Sequence, residues 1–194
     1  AWSGISSQKR IYLKIKSVRS VRVSLPEQTS TVKPRRPSWN KSAKRAMPIN
    51  LYPRFSRYPH DMPGGQLDTV WVKVVAEDGT WGLGQCAFGE PVSAFINTVI
   101  APIIEGQNCM AIEHLNDLIV RVSQRFGTSG TASTAMSGVD LALWDLKGKI
   151  LNQPVYSLLG GPVREFITCY ATSDDLDWSQ ELGFTKFKIT NPSH

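Results

Sequence analysis

Cysteine is scarce in this chain of 194 residues, which contains only Cys86, Cys109 and Cys169. The three cysteines lie far apart and are odd in number, so they offer neither the paired spacing of a zinc site nor a disulfide framework. Such sparse use of cysteine favours a reducing compartment, and we expect the protein to be cytoplasmic.

Long hydrophobic runs are also missing. The longest stretches without a charged residue, 91–104 and 126–139, have 14 residues each, whereas a membrane-spanning helix needs about 20 predominantly apolar residues. We therefore expect no association with a membrane. The composition, with 41% hydrophobic and 20% charged residues, is typical of a globular protein and excludes a disordered chain, a collagen and a coiled coil.

Most common active-site motifs are absent as well. Gly82-Leu83-Gly84 lacks the third glycine of a dinucleotide-binding loop, and the sequence has no Walker motif, calcium loop or nucleophile elbow. The three histidines, His60, His114 and His194, are too scattered to form a zinc cluster. No motif therefore supports nucleotide binding, serine hydrolase chemistry or a structural metal site.

Acidic residues are nearly absent from the first third of the chain. Residues 1–57 contain 14 Lys and Arg and a single acid, Glu27, whereas 58–194 contain 8 Lys and Arg and 15 acids. Either the basic third binds nucleic acid or another polyanion, or it contains a loop that contacts an anionic substrate. Its aromatic residues lie in a Pro-rich stretch rather than on a recognisable platform, which disfavours nucleic acid.

The predicted elements divide the chain near residue 160. Residues 1–12 are expected to form a disordered extension. Residues 26–67 have no helical or strand period, and so long a stretch is either functional or disordered. The remaining pattern predicts three strands and then three helices, at 13–25, 68–77, 80–88, 91–104, 110–126 and 134–151. The pattern changes after Gly160-Gly161-Pro162 and predicts a parallel βαβ unit. Its elements are a strand of the buried type at 165–171, a short helix at 174–182 and a strand at 185–190.

Two local patterns add detail to the first part. In the first strand Ile15, Val21 and Val23 share one parity, which predicts that they lie on the same face. Asp78-Gly79 predicts a tight hairpin between the second and third strands. Small residues near the start of the 134–151 helix, such as Gly138, indicate close helix packing.

The least common polar pattern is Lys186-Phe187-Lys188. In a strand, residues two apart project from the same face, about 6.6 Å from each other. These lysines either lie in water on an edge strand or point into the interior of a barrel. In an interior, the neighbouring ammonium charge and desolvation both lower the pKa of a lysine towards that of a general base. The residues alone leave both alternatives open.

A series of residues in the second half carries a family resemblance. It comprises Gly138 to Gly161 (GVDLALWDLKGKILNQPVYSLLGG), Val163-Arg164, Tyr170-Ala171-Thr172 and the Lys-x-Lys strand. On these residues the chain resembles the mandelate racemase/muconate lactonizing enzyme branch of the enolase superfamily, especially its acid-sugar dehydratases of the L-rhamnonate dehydratase type. The resemblance extends over about residues 13–194 and is poor in 26–67.

The resemblance implies a fold in two parts. The first is an α+β N-terminal capping domain at 13–160, with a three-stranded antiparallel sheet and a helix bundle, in which the loop 26–67 sets substrate specificity. The second, 161–194, is the first βαβ of a truncated TIM-type (β/α) barrel. Within the motif, Asp140 and Asp145 are expected to make local hydrogen bonds rather than to act in catalysis.

The resemblance also implies a Mg²⁺-dependent lyase that removes the proton α to the carboxylate of an acid sugar and eliminates water. Lys188 would act as acid/base, and Lys186, a residue that the rhamnonate-type enzymes often lack, would tune it or contact the carboxylate. Arg57, Arg54 and His60 of the loop are candidates for contacts to distal hydroxyls or a second carboxylate, because a guanidinium presents a planar fork of donors.

Length is the largest departure from this family. A (β/α)₈ barrel needs about 250 residues, but only 31 are present from Arg164 to the last residue. The resemblance places the metal-binding carboxylates on later strands, so no ligand for Mg²⁺ is expected here. We therefore hypothesise an N-terminal fragment of an enzyme that is a homo-oligomer in full length. By itself the fragment should be inactive and should expose the apolar strand Phe166–Ala171. The alternatives are an inactive homologue acting as an interaction subunit, and a basic nucleic-acid-binding protein.

Overall fold

The computed structural model describes residues 12–23, 48–56, 69–173 and 175–188. The predicted extension up to residue 11 and most of the predicted loop 26–67 lie outside the described residues. The chain forms two compact units: the first comprises 1–24 and 65–162, and the second comprises 25–64 and 163–194. No helix in the described part is long and apolar enough to cross a membrane.

The first unit contains a three-stranded antiparallel sheet with the strand order β1–β2–β3. The strands are β1 (Ile15–Val21), β2 (Val70–Ala76) and β3 (Trp81–Cys86). The hairpin predicted at Asp78-Gly79 is confirmed: Thr80 N–H donates to the Asp78 carboxylate at 2.9 Å, and Gly79 has a φ of +88°. β2 alternates strictly between buried and half-buried residues, so one face of the sheet packs into the core.

β1 departs from the predicted alternation. Ile15 and Val18, three residues apart, are both buried, whereas Val21 is half-buried and Val23 is exposed. The pairing of β1 with β2 is irregular between Ile15 and Ser17. An extra residue in one strand reverses which side chains face the core. The prediction that Ile15, Val21 and Val23 share one face is therefore wrong.

Helices cover the buried face of the sheet. The first is α1 (Gly89–Phe95), which continues through a π-helical turn (Ile96–Ile100) into α2 (Ala101–Ile104). The others are α3 (Ile112–Ser123), extended by a 3₁₀ turn (Gln124–Phe126), α4 (Thr131–Leu151) and the short α5 (Val155–Leu158). The three predicted helices are found in order, which confirms the architecture of the capping domain; α5 was not predicted.

α4 packs against β3 at a distance that only glycine permits. A Cβ atom at Gly82 would overlap the carbonyl oxygen of Ala142, and one at Gly84 would overlap the carbonyl oxygen of Gly138. A Cβ atom at Gly138 would lie 2.7 Å from Sγ of Cys86. The close packing that the small residues of α4 predict is thus confirmed, and it brings the backbones of helix and strand into contact.

The outer edge of β1 is covered by side chains from the helices. Val18 N–H donates to Oε1 of Glu105 at 2.9 Å, and Ser20 N–H donates to Oδ1 of Asn97 at the same distance. Asn97 returns a bond from Nδ2 to the Ser20 hydroxyl at 2.8 Å, and Arg19 pairs with Glu105 at 2.6 Å. These bonds satisfy backbone groups that an edge strand would otherwise leave open.

The outer edge of β3 is closed in the same way by α4. Leu83 N–H donates to Oδ2 of Asp145 at 2.8 Å, and Nζ of Lys149 donates to the Trp81 carbonyl at 3.1 Å. Asp145 and Lys149 also pair with each other at 2.6 Å, and the ammonium group lies 3.9 Å from the centre of the Trp81 ring. Both edges of the sheet are therefore capped by side chains.

The second unit contains the predicted βαβ arrangement in a short form. Strands β4 (Ala171–Thr172) and β5 (Phe187–Lys188) pair in parallel, and α6 (Leu176–Glu181) lies between them in sequence. The strand predicted over 165–171 is wrong in length, since β4 comprises only Ala171–Thr172. Phe166 and Ile167 are 84% and 82% exposed, as predicted for a fragment by itself. A parallel strand is normally paired on both sides and covered on both faces, and in the described part β4 pairs with β5 alone.

Candidate functional site

The candidate catalytic lysines belong to β5 and the residue before it. Ala171 N–H of β4 donates to the carbonyl of Lys186 at 2.9 Å, and Thr172 is paired with Lys188. Because β4 and β5 are parallel, their carboxyl ends lie at the same edge. In α/β folds, ligands bind at that edge, and Lys188 is positioned there.

The side chains of Lys186 and Lys188 are both exposed. Lys188 lies in β5 and Lys186 immediately precedes it, and residues two apart in an extended segment project from the same face. The burial that would make either lysine a better base is not found in the described residues. Of the two predicted positions, in water or inside a barrel, both lysines occupy the one in water. Their catalytic role stays a prediction.

Asp175 shapes the turn that leads from β4 into α6. Its Oδ1 accepts a hydrogen bond from Trp178 N–H at 3.2 Å, and its own N–H donates to the Ser173 hydroxyl at 3.0 Å. The Ser179 hydroxyl donates to the Asp175 carbonyl at 2.8 Å. Asp175 is buried, and its Oδ2 has no hydrogen-bond partner among the described residues. Sequence analysis missed this role, although an Asp three residues before a helical N–H is a helix-capping signal.

Arg54 is the one candidate substrate contact within the described residues. It lies in a 3₁₀ turn (Pro53–Phe55) and is exposed, with its guanidinium carbon 5.5 Å from the centre of the Phe55 ring. Asn50 supports this turn by donating from Nδ2 to the Phe55 carbonyl at 2.7 Å. The turn leaves the guanidinium donors available to an anionic or hydroxylated ligand.

The other two loop candidates, Arg57 and His60, lie outside the described residues. Of the predicted site residues, the structure thus describes Arg54, Lys186 and Lys188, and the roles of all five stay predictions.

The described residues do not form a site that fits a magnesium ion. Within the described ranges, no group of three or more His, Cys, Asp or Glu is placed to hold a metal. Asp140 accepts a hydrogen bond from Nδ2 of Asn116 at 2.8 Å, and Asp145 caps β3. Both acids thus make structural hydrogen bonds, as predicted, but their partners lie 24 and 62 residues away in the sequence rather than nearby.

Cysteine chemistry is not supported at any described position of the first unit. All three cysteines are free. Burial, with a smaller contribution from the charge of Asp78, raises the pKa of the Cys109 thiol to about 11. Burial also raises the pKa of the Cys86 thiol. Both thiols therefore stay protonated near neutral pH and are poor nucleophiles.

Comparison with known proteins identifies a family for the capping domain. Residues 51–160 match the family model described as mandelate racemase / muconate lactonizing enzyme, N-terminal domain. The L-rhamnonate dehydratase of Saccharopolyspora erythraea is 40% identical over 145 residues, which are 75% of this chain and 37% of that protein. The chain thus spans little more than a third of this curated relative.

Solved structures show the same similarity over almost the whole chain. L-rhamnonate dehydratase from Gibberella zeae matches with a TM-score of 0.77 and 25% identity, covering 98% of this chain and 44% of that one. Rhamnonate dehydratase from the same organism, complexed with Mg, matches with a TM-score of 0.76 and 26% identity, covering 99% and 47%. More than half of each of those chains lies outside the match.

Proposed function

Because the chain belongs to the mandelate racemase/muconate lactonizing enzyme family of the enolase superfamily, we propose that it supplies the N-terminal part of an acid-sugar dehydratase. The observation that carries the proposal is the 40% identity to a curated L-rhamnonate dehydratase over three quarters of the chain. The sheet and helices described in the first unit and the parallel strand pair of the second support it. L-rhamnonate is therefore the first substrate to test.

Lys188 is the proposed acid/base of this reaction. Its amine takes the proton from the carbon α to the substrate carboxylate. The electron pair left behind forms a carbon–carbon double bond as the bond to the β-hydroxyl breaks, and that hydroxyl takes up a proton and leaves as water. Lys186, on the same face, contacts the carboxylate. The position of Lys188 at the carboxyl end of β5 supports this role.

The loop residues Arg54, Arg57 and His60 are proposed to bind the distal hydroxyls of the acid sugar. The guanidinium group of Arg54 is exposed and presents several donors in one plane. Magnesium, which supplies charge stabilisation to an enediolate in such chemistry, does not fit the described residues, and no step through it is assigned to them.

We propose further that the 194 residues do not catalyse the reaction by themselves. The described part has no acidic cluster for a metal, and both lysines are open to water. A homo-oligomeric full-length form and a cytoplasmic location are also proposed. The nucleic-acid alternative has less support, since Arg19 of the basic third is already paired with Glu105.

A chimera tests this function directly. Residues 1–194 replace the matched part of the Saccharopolyspora erythraea enzyme, and dehydration of L-rhamnonate is measured with Mg²⁺ present. We expect activity in the chimera and none in the 194-residue chain. Lys188→Met in the chimera should lower kcat by at least about 100-fold, since general acid–base catalysis contributes about 10² to 10⁴.

Two further measurements make the chimera test decisive. Exchange of the α-proton in D₂O, followed by NMR, should be lost in Lys188→Met, whereas Arg54→Ala should raise KM more than it lowers kcat. Lys16→Met, an exposed lysine of β1, is the matched control and should leave both parameters unchanged. A folded chimera in which Lys188→Met keeps full proton exchange would rule out the proposed role of Lys188.

A further inference from the structure

We propose that Thr172 is a positioning residue for Lys188: its hydroxyl oxygen accepts a hydrogen bond from the lysine nitrogen and so aims the amine at the substrate. The inference rests on the proposed role of Lys188 as acid/base and adds a second residue to it. Thr172 is the last residue of β4, and Lys188 is the last residue of β5. The parallel ladder pairs these two residues directly.

This pairing makes the two side chains neighbours. Adjacent strands of a sheet lie about 4.8 Å apart, and successive residues of a strand point to opposite faces. Ala171 and Phe187 are paired one residue earlier, so they share one face, and Thr172 and Lys188 share the other. The four-carbon stem of a lysine is flexible and has three rotatable donors at its end. The nitrogen of Lys188 can therefore fold towards the hydroxyl on the adjacent strand.

The serine hydroxyls that follow β4 are already used by the turn into α6. The Ser173 hydroxyl accepts a hydrogen bond from Asp175 N–H at 3.0 Å. The Ser179 hydroxyl donates to the Asp175 carbonyl at 2.8 Å and is buried. Thr172, in contrast, is exposed beside an exposed Lys188. Of the hydroxyl groups in this described segment, the one on Thr172 is therefore placed to serve the lysine.

The chemistry of a lysine base gives such a contact its purpose. A neutral amine has one lone pair and two N–H groups, and rotation about its last bond turns the lone pair away from the substrate. A hydroxyl oxygen that accepts one N–H limits this rotation and holds the lone pair towards the proton on the α carbon. After the amine takes up that proton, the ammonium group still donates to the same oxygen. Thr172 thus supports Lys188 in both protonation states.

Substitutions in the chimera test the proposal. Thr172→Val keeps a β-branched side chain suited to a strand and removes only the hydroxyl. We expect kcat for L-rhamnonate and α-proton exchange in D₂O to fall about 10-fold or more, with KM changed less than about twofold, as for loss of a hydrogen bond to a charged group. Thr172→Ser restores the oxygen and should keep at least about half of kcat. Thr168→Val, the same change at an exposed threonine before β4, is the matched control and should change neither parameter.

A double-mutant cycle separates positioning from direct substrate binding. If Thr172 acts through Lys188, Thr172→Val should lower the residual kcat of Lys188→Met by less than about twofold. A loss in that background as large as in the parent would show that Thr172 acts independently of the lysine, and the proposal would be overturned. Full activity of Thr172→Val, or a raised KM with unchanged kcat, would overturn it as well.

A measurement without substrate keeps this proposal distinct from the proposed function. In the 194-residue chain with ¹⁵N-labelled lysine, the ammonium protons of Lys188 should exchange with water at least about threefold more slowly than those of Lys186, because a hydrogen-bonded proton exchanges only when its bond opens. Thr172→Val should remove this difference, and Thr168→Val should retain it.

The outcomes of the two experiments are independent. Equal exchange of the two lysines in the parent chain would overturn the role of Thr172 even where the chimera is active. A chimera that does not dehydrate L-rhamnonate would count against the proposed function, and the exchange measurement would still decide whether Thr172 holds Lys188.

Discussion

The two units of this chain differ in how far the edges and faces of their sheets are covered. In the first unit, β1 is closed by Glu105 and Asn97, β3 by Asp145 and Lys149, and helices cover one face. In the second unit, the parallel pair β4–β5 has two residues per strand, and its neighbouring apolar side chains are exposed. Burial and edge bonds are thus concentrated in the first unit, whereas the described apolar side chains next to β4 in the second unit face water.

Thiol reactivity should show the largest difference between the units. Cys109 is fully buried in the first unit and Cys169 is exposed in the second. We expect Cys169 to react with a thiol reagent at pH 8 at least about 1,000-fold faster than Cys109, whose reaction needs opening of the core. Single-cysteine variants and a mass-spectrometric time course measure the two rates. Similar rates would mean that the first unit is not closed.

The same thiol gives the first unit a dependence on pH. The pKa of Cys109 is raised from 9.0 to about 11, so the folded state favours the protonated thiol. Its contribution to stability should therefore be complete below about pH 9 and be lost as the pH rises to about 11. Urea unfolding at pH 8 and pH 10.5 should show this loss in the parent and a smaller one in Cys109→Ala.

A methyl group at Gly84 should cause the next largest effect. In Gly84→Ala the new Cβ would meet the Gly138 carbonyl oxygen and lie 2.7 Å from the Ala142 nitrogen, both backbone atoms of α4. We expect a loss of at least about 3 kcal/mol in the free energy of unfolding. Gly79→Ala, where no atom lies within 4 Å but φ is +88°, should cost only about 1 kcal/mol. Equal losses would show that α4 can move away from β3.

Opening the edge of β3 should have a moderate effect. Asp145→Ala leaves the Leu83 N–H without its acceptor, which should cost about 1 to 2 kcal/mol in urea unfolding. Its ion pair with Lys149 is partly exposed and adds little. Asp145→Asn retains an acceptor oxygen and should lose less than half as much. If both variants lose the same amount, the charge matters more than the edge bond.

The smallest effect on stability is expected in the second unit. Phe166→Asp changes a side chain that is 84% exposed, so the free energy of unfolding should change by no more than about 0.5 kcal/mol. Phe95→Ala, at a buried core position of the first unit, should cost about 3 to 5 kcal/mol. A large loss in Phe166→Asp would mean that the second unit has a core of its own.

Periodicity and turn residues were sufficient to predict most of the first unit. The Asp-Gly turn is a local signal, and it corresponds to the hairpin between β2 and β3. The helix predicted at 110–126 likewise corresponds to α3 and the 3₁₀ turn that follows it. The irregular pairing of β1 could not be predicted, because it depends on alignment with β2 rather than on β1 itself. The role of Asp145 at the edge of β3 is likewise a contact between distant residues.

The candidate site was less predictable than the fold, for a physical reason. The apolar run at 165–171 has the composition of a buried parallel strand, but a strand is formed by its neighbours, and β5 is its one described partner. The spacing of Lys186 and Lys188 was predictable from the strand period. Whether a lysine is buried depends on the residues that surround it in the fold, and the spacing of the two lysines carries no information about those residues.

The repeat distances of β3 and α4 nearly match along the line where the strand and the helix are in contact. Two residues advance about 6.6 Å along a strand, and four residues advance about 6.0 Å along a helix. The two repeat distances therefore differ by only about 0.6 Å. Gly82 faces Ala142, and Gly84 faces Gly138, which lies four residues before Ala142 in the helix. The sulfur of Cys86 also lies against Gly138. The two glycines therefore match one step of the strand to one turn of the helix, and this match sets α4 in one register along β3.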